Sequence, residues 1–253
     1  MNNRNDKNSY TPARNLDRPE PFMDLVRDSY SLFSSQWKLT VGGPALYFYG
    51  PLLVVGVPVF IFALVVGFIV LLINKGLYWL AMFPIGVVGV LLYALAVNWI
   101  RVSWTAIALK LLRAEPADFA ELLKSSPKFI NFFLTTFIIG VATVIGGICF
   151  IVPGVFIAIR TAFAPFLVVD EDLGPIEALF KSNELVQGYS WQVLGALVLL
   201  YLVNMVAGFI PLAHLLVTPA SYGYFDLVIG RMYLWQRAAL SERRSASDPD
   251  FIR

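Results

Sequence analysis

The stretch that decides the fold is VGGPALYFYGPLLVVGVPVFIFALVVGFIVLLIN, residues 41–74. It is predominantly apolar, and Pro44, Pro51 and Pro58 are its main interruptions. An α-helix needs about 20 such residues to cross the roughly 30 Å hydrocarbon core of a bilayer. The stretch is therefore long enough for a transmembrane helix, and its prolines leave open whether it is one helix or a broken one.

Five further apolar stretches follow the first along the chain. They cover residues 76–100, 129–151, 155–169, 191–210 and 215–235. Each is bounded by polar, Gly or Pro residues that suit turns or helix ends. The sequence thus predicts an all-α polytopic membrane protein with six transmembrane helices.

The composition supports this class. Hydrophobic residues make up 58% of the chain and charged residues 14%, against about 25% charged in soluble domains. The mean hydropathy is +0.71. A net charge of +2 is too small to indicate a nucleic-acid partner. The single cysteine, Cys149, excludes an intrachain disulfide and a cysteine-based metal site, and we expect neither metal nor cofactor.

Charge placement predicts the orientation. Of the 19 Lys and Arg residues, only Lys75 falls on the side of the turns near residues 75, 152 and 213, and Arg160 falls inside a span. The positive-inside rule then makes the other side cytoplasmic and places both termini there. Tryptophans near the predicted cytoplasmic helix ends suit an aromatic belt; they are Trp37, Trp99, Trp104, Trp191 and Trp235.

Polar tails flank the membrane domain. Residues 1–20 and 238–253 are rich in polar residues and have little to bury. Because such segments cannot offset the entropy of ordering, we expect both to be disordered cytoplasmic tails. The membrane domain is predicted to span residues 21–237, and no cleavable signal peptide is expected before it.

Three segments that precede the first, third and fifth spans are amphipathic. They cover residues 22–36, 118–130 and 175–187. In each, large apolar residues share one helical face and charged residues the opposite one; for the last segment the apolar face is Ile176, Leu179, Phe180 and Val186. We expect three helices lying in the cytoplasmic interface, and either divergent repetition or coincidence accounts for their threefold recurrence. Their basic residues, Lys124, Lys128 and Lys181, are expected to meet anionic lipid.

A set of short motifs runs through residues 148–199. It comprises Val152-Pro153-Gly154 between two apolar helices, Ala164-Pro165, the acidic loop 170–172, and Ala178-Leu179 followed by Ser182. This pattern resembles the YciC-like inner-membrane proteins and the related membrane domain of some glycerophosphoryl diester phosphodiesterases. LVRDSYSLFSSQW (25–37) and IGRMYLWQR (229–237) resemble the YciC type as well.

The resemblance implies a six-helix protein of the bacterial inner membrane, from a family of largely uncharacterised function. It does not extend to diesterase activity, which needs a soluble barrel with paired histidines and metal-binding carboxylates. The chain has one histidine, His214. That residue alone supports neither a histidine-rich zinc site nor a conventional Ser-His-Asp triad.

Arg160 is the polar residue that the predicted spans least explain. Placing an arginine near the centre of a span costs roughly 2.5–3.5 kcal/mol, so its side chain should meet protein, water or a headgroup. Asp226 and Asn204 are predicted to lie at a similar depth, and we expect an intramembrane polar cluster of these three residues. Such a pair either locks the bundle or forms a substrate or ion pathway, and independent snorkelling of the two charges is the remaining alternative.

Two further motifs have alternative interpretations. Pro153 and Gly154 form either a tight outer turn or a hinge. The carboxylates of Asp170, Glu171 and Asp172 are either solvated or bind a divalent cation.

Three function classes remain. The first is a non-enzymatic protein that organises lipid or other membrane proteins through its interfacial helices. The second is a small-solute transporter, which proline-interrupted helices and the Arg160–Asp226 pair would suit. The third, a lipid-modifying enzyme, lacks a recognisable acid–base and nucleophile set. The oligomeric state is left open.

Overall fold

The structure is a computed structural model that describes residues 21–73, 77–123 and 127–247, and this part of the chain contains helices and no strand. The described α-helices are α1 (Phe22–Ser35), α2 (Trp37–Pro51), α3 (Val57–Ile73), α4 (Tyr78–Leu112), α5 (Phe129–Cys149), α6 (Ile151–Arg160), α7 (Ala164–Glu171), α8 (Pro175–Leu185), α9 (Ser190–Ala207) and α10 (Pro211–Ser247). A π-helical turn, Leu52–Gly56, joins α2 to α3, and 3-10 turns cover Phe119–Leu123 and Val186–Gly188. The all-α membrane fold is therefore confirmed.

Five helical segments of the described chain are long and apolar enough to cross a membrane. They are Trp37–Ile73, Tyr78–Leu112, Phe129–Cys149, Ile151–Glu171 and Ser190–Ala207. The predicted sixth span lies within α10, which has 37 residues but is less apolar. Because α10 packs against α1, α2, α4 and α9, its side chains meet protein and need not be apolar enough for lipid.

The first span stays helical through its prolines. Pro51 ends α2, and the chain then widens into the π-helical turn, in which the N–H of Val57 bonds to the carbonyl of Leu52. Proline donates no backbone hydrogen bond. The π-helical turn accommodates Pro51 and Pro58 by a local change in the hydrogen-bond register, so the first span is a continuous helix and not a broken one. Irregular turns of this kind are frequent at functional sites.

The predicted span 155–169 is split. α6 ends at Arg160, a turn follows, and α7 begins at Ala164. Ser182 stabilises the split, because its hydroxyl donates to the Arg160 carbonyl at 2.9 Å and accepts the Phe163 N–H at 3.1 Å. Pro165, at the start of α7, also interrupts the ladder since it has no N–H.

Burial divides the molecule into two halves. Between Leu52 and Ile73 only Gly67 is buried, and no residue is buried between Leu77 and Arg101. From Val102 to Leu112, by contrast, most of α4 is buried. We call the region built from α1, α4 after residue 101, α7, α8 and α10 after residue 222 the packed half, and the remainder the apolar half. The exposed apolar side chains of the apolar half suit a lipid surrounding.

Two of the three predicted amphipathic helices are present. α1 and α8 match 22–36 and 175–187, whereas 118–130 contains the short turn Phe119–Leu123, three residues outside the described chain, and the start of α5. The prediction of a single helix over 118–130 is wrong. Pro127 explains this, because a proline disfavours a helix that continues across it.

The predicted apolar face of α8 is also only partly right. Ala178, Ser182 and Leu185 form the buried face, while Ile176 and Phe180 are exposed. Small residues turn inward because α8 packs closely on α5 and α7. Ile176 and Phe180 are therefore left outside, whereas Val186, the last residue of the predicted face, is buried.

The described residues test the predicted disorder of only one of the two polar tails. Residues 1–20 and 248–253 lie outside the described chain. Over residues 238–247 the predicted disorder is wrong, since α10 remains helical through Ser247 and buries Ala239. The cytoplasmic disorder predicted for residues 1–20 stays a prediction.

Candidate functional site

The structure does not bring Arg160 and Asp226 together. Arg160 is the last residue of α6, and its guanidinium lies over the Phe156 ring, 4.9 Å from the centroid. One guanidinium nitrogen donates to the Asn183 carbonyl at 3.5 Å. No carboxylate pairs with Arg160 among the described residues.

Asp226 has a different partner. Its Oδ2 accepts a hydrogen bond from Trp104 Nε1 at 2.8 Å, and Arg101 acts on it electrostatically. Trp104 is fully buried, so it is not part of the aromatic belt that the sequence predicted. Asn204 is elsewhere and donates to the Ser221 hydroxyl at 2.9 Å. The predicted three-residue polar cluster is therefore wrong as a cluster.

Helix register explains the error. Spacing along a helix predicts depth, but it does not predict which neighbour a side chain faces. Because α6 ends at Arg160, the guanidinium turns toward α8, while Asp226 faces α4 from α10. The tryptophan that binds Asp226 gave no sequence signal beyond its type.

Asp170 joins three helices of the packed half. Its side chain is 6% exposed and accepts from Arg113 at 2.5 Å, Arg237 at 2.5 Å and the Tyr233 hydroxyl at 2.8 Å. Arg113 follows α4, Asp170 lies at the end of α7, and Tyr233 and Arg237 lie on α10.

Glu171 extends this arrangement. It pairs with Arg237 at 3.1 Å and with Lys181 of α8. We call the whole set the Asp170 cluster; its members are Arg113, Asp170, Glu171, Lys181, Tyr233 and Arg237. Both interpretations of the acidic loop are thus wrong for Asp170 and Glu171, whose carboxylates are occupied by cationic side chains. Asp172 alone is largely solvated, with 67% of its side chain exposed.

The three basic residues expected to meet lipid have other surroundings. Lys181 pairs with Glu171. Lys128 donates to the Val169 carbonyl at 2.7 Å and lies 3.9 Å from Asp172. Lys124 lies outside the described residues. Lys128 and Lys181 therefore tie segments of the protein together, which the sequence did not reveal because their partners lie 10 residues or more away.

Pro153 and Gly154 lie one turn after the chain reversal. Phe150 is extended and separates α5 from α6, and the Pro-Gly pair belongs to the first turn of α6. A Cβ on Gly154 would come within 2.8 Å of the Gly147 nitrogen. The pair therefore permits close contact between α5 and α6, and the reversal itself is at Phe150.

A surface of mixed apolar and basic character lies on α1 and the start of α2. Met23, Tyr30 and Trp37 are 71%, 61% and 58% exposed. Arg27 and Lys38 are exposed beside them and form no ion pair among the described residues, and Asp24 is exposed three residues before Arg27. We call these five residues the α1 surface.

The other side of α1 is fixed to α10. Leu25 is buried, the Tyr224 hydroxyl donates to the Val26 carbonyl at 2.7 Å, and Arg231 pairs with Asp28 at 2.9 Å. Met23, Arg27 and Tyr30 thus lie on the outer side of a helix that is docked on α10, and Trp37 and Lys38 lie at the start of the next helix.

In comparisons with known proteins, no protein-family model, curated protein or solved structure matches the chain.

Proposed function

We propose that the chain is a non-enzymatic integral membrane protein that gathers anionic lipid on the side of the membrane where α1 lies. The observation that carries the proposal is the α1 surface, in which exposed aromatic and aliphatic side chains stand beside two basic residues that form no ion pair within the part of the chain that the structure describes. Such a face suits the headgroup region of a bilayer, where apolar residues enter the acyl boundary and basic residues meet anionic headgroups.

The distribution of charge supports a cytoplasmic location for this surface. Lys and Arg residues concentrate on the side of the spans that includes α1, and with α10 as a sixth span both termini lie there. A bacterial inner membrane and membership of the YciC-like family remain part of the proposal, supported by the sequence motifs. Membrane lipids are the proposed partners, and other membrane proteins gathered with those lipids are a second class.

The proposal is tested by measuring which lipids surround the protein in a bilayer. Nanodiscs are assembled from equimolar phosphatidylglycerol and phosphatidylcholine with wild type or the double variant Arg27→Gln/Lys38→Gln, and the lipid in each purified disc is quantified by mass spectrometry. Each basic residue near an anionic surface contributes about 1 kcal/mol, so we expect a phosphatidylglycerol excess in wild type and a loss of most of it in the variant. The excess should fall in high salt, because the charges are exposed.

The matched control removes the same number of positive charges from the N-terminal part of the sequence. Lys7→Gln/Arg14→Gln removes two positive charges outside the α1 surface and should retain the phosphatidylglycerol excess. Equal excess in wild type and in the α1 double variant would contradict the proposal.

A small-solute transporter is the second candidate, favoured by Asp226. This half-buried carboxylate lies between α4 and α10 in a chain whose first span contains a π-helical turn and whose fourth is split, and interrupted helices are a feature of solute sites in transporters. If this candidate is correct, a solute will raise the melting temperature of wild type, and Asp226→Asn will remove that rise. A panel of ions, sugars and amino acids with no effect on wild type counts against it.

A further inference from the structure

Arg160 lies where a charged side chain most needs a partner. It is nine residues after the start of the candidate span Ile151–Glu171, about 14 Å along the helix. There the span splits and meets α8, whose Ser182 hydroxyl donates to the Arg160 carbonyl and whose Asn183 carbonyl accepts from the Arg160 side chain. Arg160 is also the last residue of α6, so its side chain does not pack against a further turn of that helix.

The described residues satisfy little of the hydrogen-bonding capacity of the Arg160 side chain. A guanidinium has five N–H donors, and the structure gives Arg160 one long bond, to the Asn183 carbonyl at 3.5 Å. The Phe156 ring adds a contact without an acceptor atom. Asp226, the expected counter-ion, already accepts from Trp104. Inside a membrane, donors left in this state cost free energy unless an anion or water reaches them.

The surroundings of Arg160 indicate what that anion is. Phe156, one turn before it on α6, is 55% exposed. On α8, Phe180 is 69% exposed and shares a helical face with Asn183, whose carbonyl Arg160 contacts. The cation therefore lies against one exposed apolar ring, that of Phe156, and contacts α8 one turn after a second exposed ring, that of Phe180. A small soluble anion gains nothing from contact with these apolar side chains, whereas a phospholipid has both a phosphate for the guanidinium and acyl chains for the aromatic rings.

We propose that Arg160 binds the phosphodiester of one phospholipid, whose acyl chains lie along Phe156 and Phe180. Arginine suits this ligand because its planar donors match two phosphate oxygens at once. The lipid binds at the level where α6 ends. The phosphate and the guanidinium meet there because the bilayer deforms locally or because the arginine side chain extends toward the headgroups. The site is separate from the α1 surface and rests on the proposed function only in that both require a bilayer around the chain.

Native mass spectrometry of detergent-purified protein tests this site. We expect wild type to retain one phospholipid and Arg160→Gln to lose at least tenfold in occupancy. Arg160→Lys should retain an intermediate amount, because lysine keeps the charge without the paired donors. Phe180→Ser should lower the retention with no change of charge, and it serves as the second variant if Arg160→Gln does not fold. Equal retention by wild type, Arg160→Gln and Phe180→Ser would overturn the proposal.

Thermal melting separates a lipid from a free anion. Added phosphatidylglycerol should raise the melting temperature of wild type and have no effect on Arg160→Gln, while inorganic phosphate should leave both unchanged. An equal rise with inorganic phosphate would overturn the lipid assignment. Arg27→Gln/Lys38→Gln should keep the tightly retained lipid, so failure of the α1 surface and failure of the Arg160 site give different results.

Discussion

At the scale of single residues, glycines set how closely three helices approach. A Cβ on Gly223 of α10 would lie 2.0 Å from the Thr40 carbonyl oxygen of α2, and one on Gly43 would lie 2.4 Å from the Trp104 ring of α4. Neither position has room for a methyl group. This close approach brings Trp104 within hydrogen-bond distance of Asp226, so the buried polar contact depends on two residues without side chains.

Gly223→Ala should therefore destabilise the protein. The methyl group meets backbone that cannot rotate away, and we expect a loss of about 3 kcal/mol, at the upper end of overpacking costs. Gly86→Ala is the matched control, because nothing lies within 4 Å of a Cβ there and alanine favours the helix by up to about 1 kcal/mol. Melting temperatures in one detergent compare the two; a Gly223→Ala protein as stable as Gly86→Ala would contradict the packing described.

At the scale of helices, a hydroxyl on α8 holds the junction between α6 and α7. Ser182 is fully buried and serves both the Arg160 carbonyl and the Phe163 N–H. Those two backbone groups lose their helical partners where the span splits. A single side chain thus fixes the angle at which the chain leaves the fourth span, and with it the position of Arg160.

Ser182→Ala should loosen this junction. Removing the hydroxyl leaves two backbone groups without their bonds, at a cost of about 1–3 kcal/mol. Hydrogen exchange at the Phe163 amide should accelerate in the variant by one to two orders of magnitude, since about 1.4 kcal/mol corresponds to a factor of ten. Ser31→Ala, which removes an exposed hydroxyl, should leave that amide unchanged. Unaltered exchange in Ser182→Ala would show that the bond is dispensable.

These helices also show what a sequence can predict. The length of the apolar run 41–74 is enough to predict a span, and Pro175 with Gly188 correctly bounded the amphipathic segment that contains α8. The split at residue 160 could not be predicted, because it depends on Ser182, which lies 22 residues away. The partner of Arg160 was mispredicted for the same reason: apolar spacing gives the depth of a residue, but tertiary contacts decide its neighbours.

At the scale of the whole molecule, the Asp170 cluster joins elements that are far apart in sequence. Arg113 and Arg237 reach Asp170 across 57 and 67 residues. The buried carboxylate stabilises the packed half only while its cationic partners are present, since an unpaired buried charge is costly. The cluster therefore acts as a common attachment for α4, α7, α8 and α10.

Asp170→Asn should lower the stability of the packed half. We expect a loss of about 1–3 kcal/mol, because the buried Tyr233 hydroxyl and two arginines lose a charged acceptor, and the arginines remain partly open to solvent. Asp172→Asn removes the same charge two residues away, at a largely exposed side chain, and should cost less than about 0.5 kcal/mol. Equal melting temperatures for the two variants would show that the cluster contributes nothing specific.

The position of α10 in the chain has a consequence for how the protein is made. Chains emerge from the ribosome N terminus first, and α10 is the last helix of the described residues. It supplies Gly223, Asp226, Arg231, Tyr233 and Arg237, each of which contacts an earlier helix. The earlier hairpins can enter the bilayer as they are synthesised, yet the surfaces that α10 covers have no partner until α10 itself has been made. A chain interrupted before α10 would keep those surfaces open, and it would be recognisable to membrane proteases as incomplete.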